Sequence, residues 1–167
     1  MRPLNIPVLL LILVVAAGFG AQMLDTLASR GHSLPIAGWL TALVLLLPIG
    51  VLGTYGLRLR RYMRESEERD AHPTLAPRRH HLDLPTAFRT VLLARACAYS
   101  GAVIGGLFTG QALFLLLSGT GDPVLAVLPT SAAALAGVAL AALGVIVERW
   151  GQLPPEDGPG EGAGAEN

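Results

Sequence analysis

Four stretches of this chain hold no charged side chain at all: residues 7–24, 34–57, 96–121 and 123–147. Each approaches or exceeds the ~20 apolar residues a helix needs to cross the hydrocarbon core of a bilayer. Inside lipid a backbone must satisfy its own hydrogen bonds, so segments of this kind are helices. Composition agrees, with 14% charged residues against roughly 25% in soluble domains, and a mean hydropathy of +0.55. The pattern predicts an all-α fold, an integral membrane bundle of four transmembrane helices. The spans are expected at about 7–24, 34–57, 96–117 and 124–147, within a domain covering 1–152. The first stretch shares features with a signal peptide, since Arg2 precedes an apolar run and small residues follow. The run is long, however, and "AAGFGAQ" is a poor cleavage site, so it reads as a retained span.

Charge sets the expected orientation. The connection over 58–95 holds nine Arg against five acids, while the other two connections hold only Asp25, Arg30 and Asp122. The positive-inside bias places the long connection, and with it both termini, in the cytosol. Trp39 and Trp150 fall where interfacial aromatic anchors belong. Within the connection, "LRLRRYMRESEER" pairs Arg61 with Glu65, Arg64 with Glu68 and Glu65 with Arg69 at helical spacing, a solvated continuation of the second helix. "AHPTLAP" breaks it at Pro73 and Pro77. Asp83 can cap a new helix with Pro85 in its first turn. That helix would measure about 51 Å over 84–117 at 1.5 Å per residue, so its start is expected along the interface. The last stretch, 153–167, is acidic and rich in Pro and Gly, a composition that cannot form a core, and it is expected to be a disordered tail.

The third span has an unexpected composition: "YSGAVIGGLFTG" carries four glycines in twelve residues. On a helical wheel Ala94, Ala98, Gly101, Gly105, Thr109 and Ala112 make one narrow stripe, with Val103, Ile104, Leu107, Phe108 and Phe114 opposite. In the fourth span Ala126, Thr130, Ala133, Gly137, Ala141 and Gly144 repeat the same spacing. Small residues let helix backbones approach closely in lipid, so these stripes are expected to form an antiparallel packing seam. Gly101 should lie nearest Ala141 or Gly144, and Thr109 should face Thr130 or Ala126. The rival reading is a glycine-lined cavity for a substrate. Gly106 and Gly110 keep it open, because they form a second patch that the fourth helix need not cover.

Chemistry is sparse. Ionisable residues inside a span mark proton relays and ion paths, and the four charge-free stretches contain none. Gln111 is the strongest polar group in any span, and it projects with the bulky face. It should bond a further helix or another copy, or else take water near the outer interface. Arg95 should snorkel to the headgroups. Pro48 and Pro129 should kink the second and fourth helices. Cys97, the one cysteine, falls in an apolar segment as a small hydrophobe. "RRHHLD", with His80, His81 and Asp83, lacks metal-ligand spacing, and Asp25, Ser29 and His32 lack an oxyanion device. No catalytic residue, cofactor or metal ligand is expected, and a net charge of zero argues against nucleic acid.

"GHSLPIAGWLTALVLLL", "LRLRRYMRE" and above all "LDLPTAFRTVLLARACAYSGAVIGGLFTG" resemble the actinobacterial membrane proteins grouped as domain of unknown function (DUF) 3180. The resemblance covers nearly the whole chain from the first span to Trp150. It implies four membrane helices and no assigned activity. Family members are often encoded beside folate-biosynthesis genes, which implies a pathway link without a mechanism. The expected role is a non-enzymatic, multi-pass plasma-membrane protein acting as an assembly or anchoring subunit. The alternative is a small oligomeric transporter or channel component. Expected partners are the lipid bilayer, anionic headgroups at the Arg-rich connection, and a second copy or another membrane protein.

Overall fold

In a computed structural model, residues 4–33, 35, 37–71, 84–119 and 122–151 are described. They form α1 (Ile6–Ser29), α2 (Trp39–Ala71), α3 (Leu84–Ser118), a single π-helical turn (Pro123–Val127) and α4 (Leu128–Trp150). No strand occurs among the described residues. Four helical segments are long and apolar enough to cross a membrane: Ile6–Ser29, Trp39–Arg61, Phe88–Ser118 and Val124–Trp150. The expected break at Pro73 and Pro77, the pair His80 and His81, Asp83 and the acidic tail lie outside the described residues, as do side-chain pairs involving Glu65 and Glu68.

The observed boundaries follow local chemistry more than charge. α1 runs past Asp25 to Ser29, because a carboxylate at a solvated helix end costs little. It then stops in a Schellman motif: Gly31, at φ +70, donates to Ala28 O at 3.1 Å and His32 donates to Leu27 O at 3.1 Å. α2 starts at Trp39 and not at 34, since Pro35 and Gly38 precede it. The helix continues through Pro48. α3 is continuous over 35 residues from Leu84.

Pro129 does not interrupt α4; it occupies its first turn, where a missing N–H is tolerated. An α winding across Leu125 would call on the donor Pro129 lacks, and the chain winds wider there, as the π turn. Asp122 caps that turn, its Oδ1 accepting from the Val124 N–H at 2.8 Å and the Leu125 N–H at 3.3 Å.

α3 and α4 form an antiparallel hairpin at the centre. α1 packs parallel to α3 on one side and α2 packs parallel to α4 on the other. Among the described residues the backbones of α1 and α2 do not approach each other. Burial shows the same division: 44% and 50% of the apolar windows of α3 and α4 are buried, against 17% for α1 and for α2. The lateral order is therefore α1, α3, α4, α2. Leu52 and Leu59 of α2 meet Ala94 and Cys97 of α3 and Leu140 and Val147 of α4 in the largest cluster. Leu9 of α1 meets Ala98, Ala102 and Ala141 across the other face of the hairpin. The outer faces of α1 and α2, including Leu11, Val14, Phe19, Leu40 and Leu47, are exposed and apolar, as lipid requires.

Candidate functional site

Small residues bring α3 into backbone contact with α1 on one face and α4 on the other. A Cβ placed on Gly105 would meet Val138 N at 2.7 Å, and one on Gly144 would meet Ala94 O at 2.6 Å and Ala98 N at 2.7 Å. One on Gly101 would meet Ala141 N and, at 2.8 Å, Gly137 O; one on Gly137 would meet the Gly105 backbone. Only glycine allows these separations, and they suit the weak Cα–H···O contacts that replace hydrophobic attraction in lipid. The structure thus brings together Ala98 with Gly144, Gly101 with Ala141, and Gly105 with Gly137. Gly101 pairs with Ala141, not with Gly144. The same register makes Thr109 level with Ala133, about one turn from Thr130 and two from Ala126. The Thr109 hydroxyl donates to Gly105 O at 2.6 Å and the Thr130 hydroxyl to Ala126 O at 2.7 Å, so each is satisfied within its own helix.

This register has a direct test. With Cys97→Ser as background, the pairs Ala98→Cys with Ala141→Cys and Ala94→Cys with Val147→Cys should form disulfides, because each pair packs within one cluster and neither adds a side chain where only glycine fits. Gly101→Cys with Gly144→Cys should not. Band shifts on non-reducing gels report the outcome.

The second patch is filled by α1. A Cβ on Gly106 would strike Leu13 O and, at 2.8 Å, the Ala16 side chain; one on Gly110 would strike Ala17 O. Reciprocally, one on Gly20 would strike Leu107 O. The face that kept the cavity reading open is a parallel small-xxx-small interface. The bulky face of α3 is also occupied in part: Ile104 and Phe108 pack with Ala37, Leu45 and Ala133. Gln111, on that side, is buried at 8% exposure within its own chain, which leaves no surface to offer a second copy. Cys97 is free and buried.

A charged site that the charge-free windows hid lies at the opposite end from the turn. Glu148 is 1% exposed, and it follows directly on the last window. Its Oε1 accepts from Arg95 Nη2 at 2.9 Å and Arg95 Nε at 3.2 Å. The Leu4 N–H also donates to Oε1 at 3.2 Å and to Oε2 at 3.4 Å. Arg95, expected to reach for headgroups, turns inward to this carboxylate and keeps 29% exposure. A carboxylate near the C-terminus of α4 opposes the helix dipole. It is stabilised here by a guanidinium from α3 and by an amide at the electropositive start of α1. One side chain thus ties three helices, and it is where the N-terminal segment meets the hairpin through a polar bond.

Asp25, Ser29 and His32 assemble nothing comparable: the Ser29 hydroxyl donates to Thr26 O at 3.0 Å.

No curated protein and no solved structure matches this chain. The sequence pattern of one family, described as a protein of unknown function (DUF3180), matches residues 9–155. That match takes in all four helices, the two small-residue interfaces and the Arg95–Glu148 pair, and the chain belongs to the DUF3180 family.

Proposed function

We propose that this chain is a non-enzymatic, multi-pass plasma-membrane subunit that anchors or assembles other components in the bilayer. The observation that carries the reading is the filling of both glycine faces of α3 by the chain's own helices. A substrate path along α3 would need that space. The long apolar faces of α1 and α2 are the surfaces available to another membrane protein or a second copy. The folate-linked gene neighbourhood of the family points to a partner in that pathway.

The test is crosslinking followed by affinity purification from native membranes. A stoichiometric protein partner, crosslinked through α1 or α2, is the expected result. Purification of the chain alone, with a solute flux in reconstituted vesicles, would contradict it.

One observation favours the second reading, a small oligomeric transporter or channel component. Glu148 is a buried carboxylate, the kind of group coupled transport uses. Under the anchoring reading Glu148→Gln changes stability and leaves no flux to lose.

Both termini and the connection over 58–95 are proposed to be cytosolic, on the strength of its arginine excess. Cysteines introduced at positions 70 and 160 should be inaccessible to an impermeant label on intact cells, and those at 30 and 120 accessible. External labelling at 70 would reverse the orientation.

A further inference from the structure

At the Glu148 end of the bundle, the lipid-facing surface changes abruptly from apolar to arginine. The outward side of α2 is apolar and exposed from Leu40 through Leu43, Leu47 and Leu57, and Arg58, Arg60 and Arg61 follow at once, all exposed. On α4 the exposed Leu135, Val138 and Ile146 lead in the same way to exposed Arg149. The two helices are parallel here and in register, since a Cβ on Gly56 would meet Val147 and one on Gly151 would meet Leu59. These arginines therefore share one level of the bundle. Trp150 marks that level as the membrane interface, and the Arg60 guanidinium lies over its ring, 4.8 Å from the centroid. Stacking orders a side chain that would otherwise be mobile, and it leaves the guanidinium edge available for hydrogen bonds to an anion. Glu148, the carboxylate at this level among the described residues, is buried and bonded to Arg95, so it does not neutralise the cluster.

We propose that Arg58, Arg60, Arg61 and Arg149, at the level of Trp150, form a binding surface for the phosphates of acidic phospholipids in the adjoining leaflet. The surface goes beyond the anchoring reading and does not depend on it, since it requires only that the helices cross a bilayer. Planar guanidinium groups match phosphate oxygens in pairs, and the apolar faces immediately next to them accept the acyl chains of the same lipid. The acidic stretch 153–167, which begins just past Trp150, can compete for the same arginines without replacing the lipid tails.

The experiment uses the full chain in nanodiscs of equal phosphatidylglycerol and phosphatidylcholine, with the annular lipid quantified after extraction. The wild type should be enriched in phosphatidylglycerol, and raising salt from low to high should reduce the enrichment. A basic residue near an anionic surface is worth about 1 kcal/mol, about fivefold in partitioning. Arg58→Gln/Arg60→Gln/Arg61→Gln should therefore remove most of the preference, and Arg149→Gln alone should lower it severalfold. Melting in neutral detergent should be unchanged for Arg149→Gln and only slightly lowered for the triple variant, which loses the Arg60–Trp150 contact, and this separates loss of the surface from loss of the fold. Removing 153–167 should leave the enrichment equal or higher. Equal lipid composition for wild type and triple variant would overturn the proposal. So would displacement of the lipid by millimolar inorganic phosphate, which would assign the arginines to a soluble anion, or loss of enrichment on removing the tail. None of these results bears on whether a protein partner is found.

Discussion

Gly106→Leu should destabilise the bundle as severely as Gly105→Leu. The two residues are neighbours on α3 but face different helices. A side chain at 105 would strike Val138 and Gly137 of α4, and one at 106 would strike Leu13 and Ala16 of α1. In both cases the obstacle includes backbone, which cannot rotate aside, so whole helices must separate. Overpacking of a tight interior costs typically 1–3 kcal/mol and more where backbone must move. With backbone in the way the cost should reach about 3 kcal/mol, and at about 2–4 °C per kcal/mol for a chain of this size the melting temperature in detergent should fall by about 6–12 °C. Gly137→Leu should match them, while Gly53→Leu, at a position with open space around it, should change little. The comparison separates the two readings of the glycines. A cavity between α1 and α3 would tolerate Gly106→Leu and lose only function. A two-sided interface loses stability at both positions.

Glu148→Ala should cost about 3–5 kcal/mol, the range for breaking a buried ion pair by removing one partner. The lower end applies here, since Arg95 keeps contact with its surroundings at 29% exposure and can turn outward. Glu148→Gln retains an acceptor for the Leu4 amide and should lose less. The double variant Arg95→Met/Glu148→Leu removes both charges together and should recover most of the loss, because well-packed apolar groups often match a buried pair. Thermal melts of the wild type and the three variants in one detergent check this order. If Glu148→Ala and the double variant were equally unstable, the apolar packing around the site would matter and the pairing would not.

Much of this was legible in the amino-acid sequence. Four charge-free stretches are enough for four helices, since length and lipid leave no other structure. The repeated spacing of small residues on α3 and α4 identified the faces that meet. Four features were not read, for separable reasons. The register was left open between Ala141 and Gly144 because a stripe of near-identical small residues fits itself at more than one offset. The contacts between α3 and α4 resolve this: Gly101 meets Ala141, and the same register sets Arg95 beside Glu148. Defining the spans by the absence of charge put both residues just outside their windows, and the pair disappeared from view for that reason. The partner of Gly106 and Gly110 was a different matter. Nothing in the composition of α1 assigns it to α3 over α2 or α4, because Ala16, Ala17 and Gly20 would suit any close neighbour. That choice is tertiary. Likewise the hydropathy of α4 carried no sign of a π turn at Pro123–Val127; the sign was Pro129, which reads equally well as a kink or as a first-turn proline.

The central claim is that α3 is held on both glycine faces by the chain's own helices, with no open face left for a ligand. The most direct measurement is disulfide formation between Leu9→Cys and Ala102→Cys in a Cys97→Ser background, in native membranes and without added crosslinker. Leu9 packs with Ala98, Ala102 and Ala141 in one cluster, and neither position adds a side chain where only glycine fits, so this pair should close as readily as Ala98→Cys with Ala141→Cys in the hairpin. Closure of the hairpin pair with none at 9 and 102 would leave that face of α3 open and contradict the account.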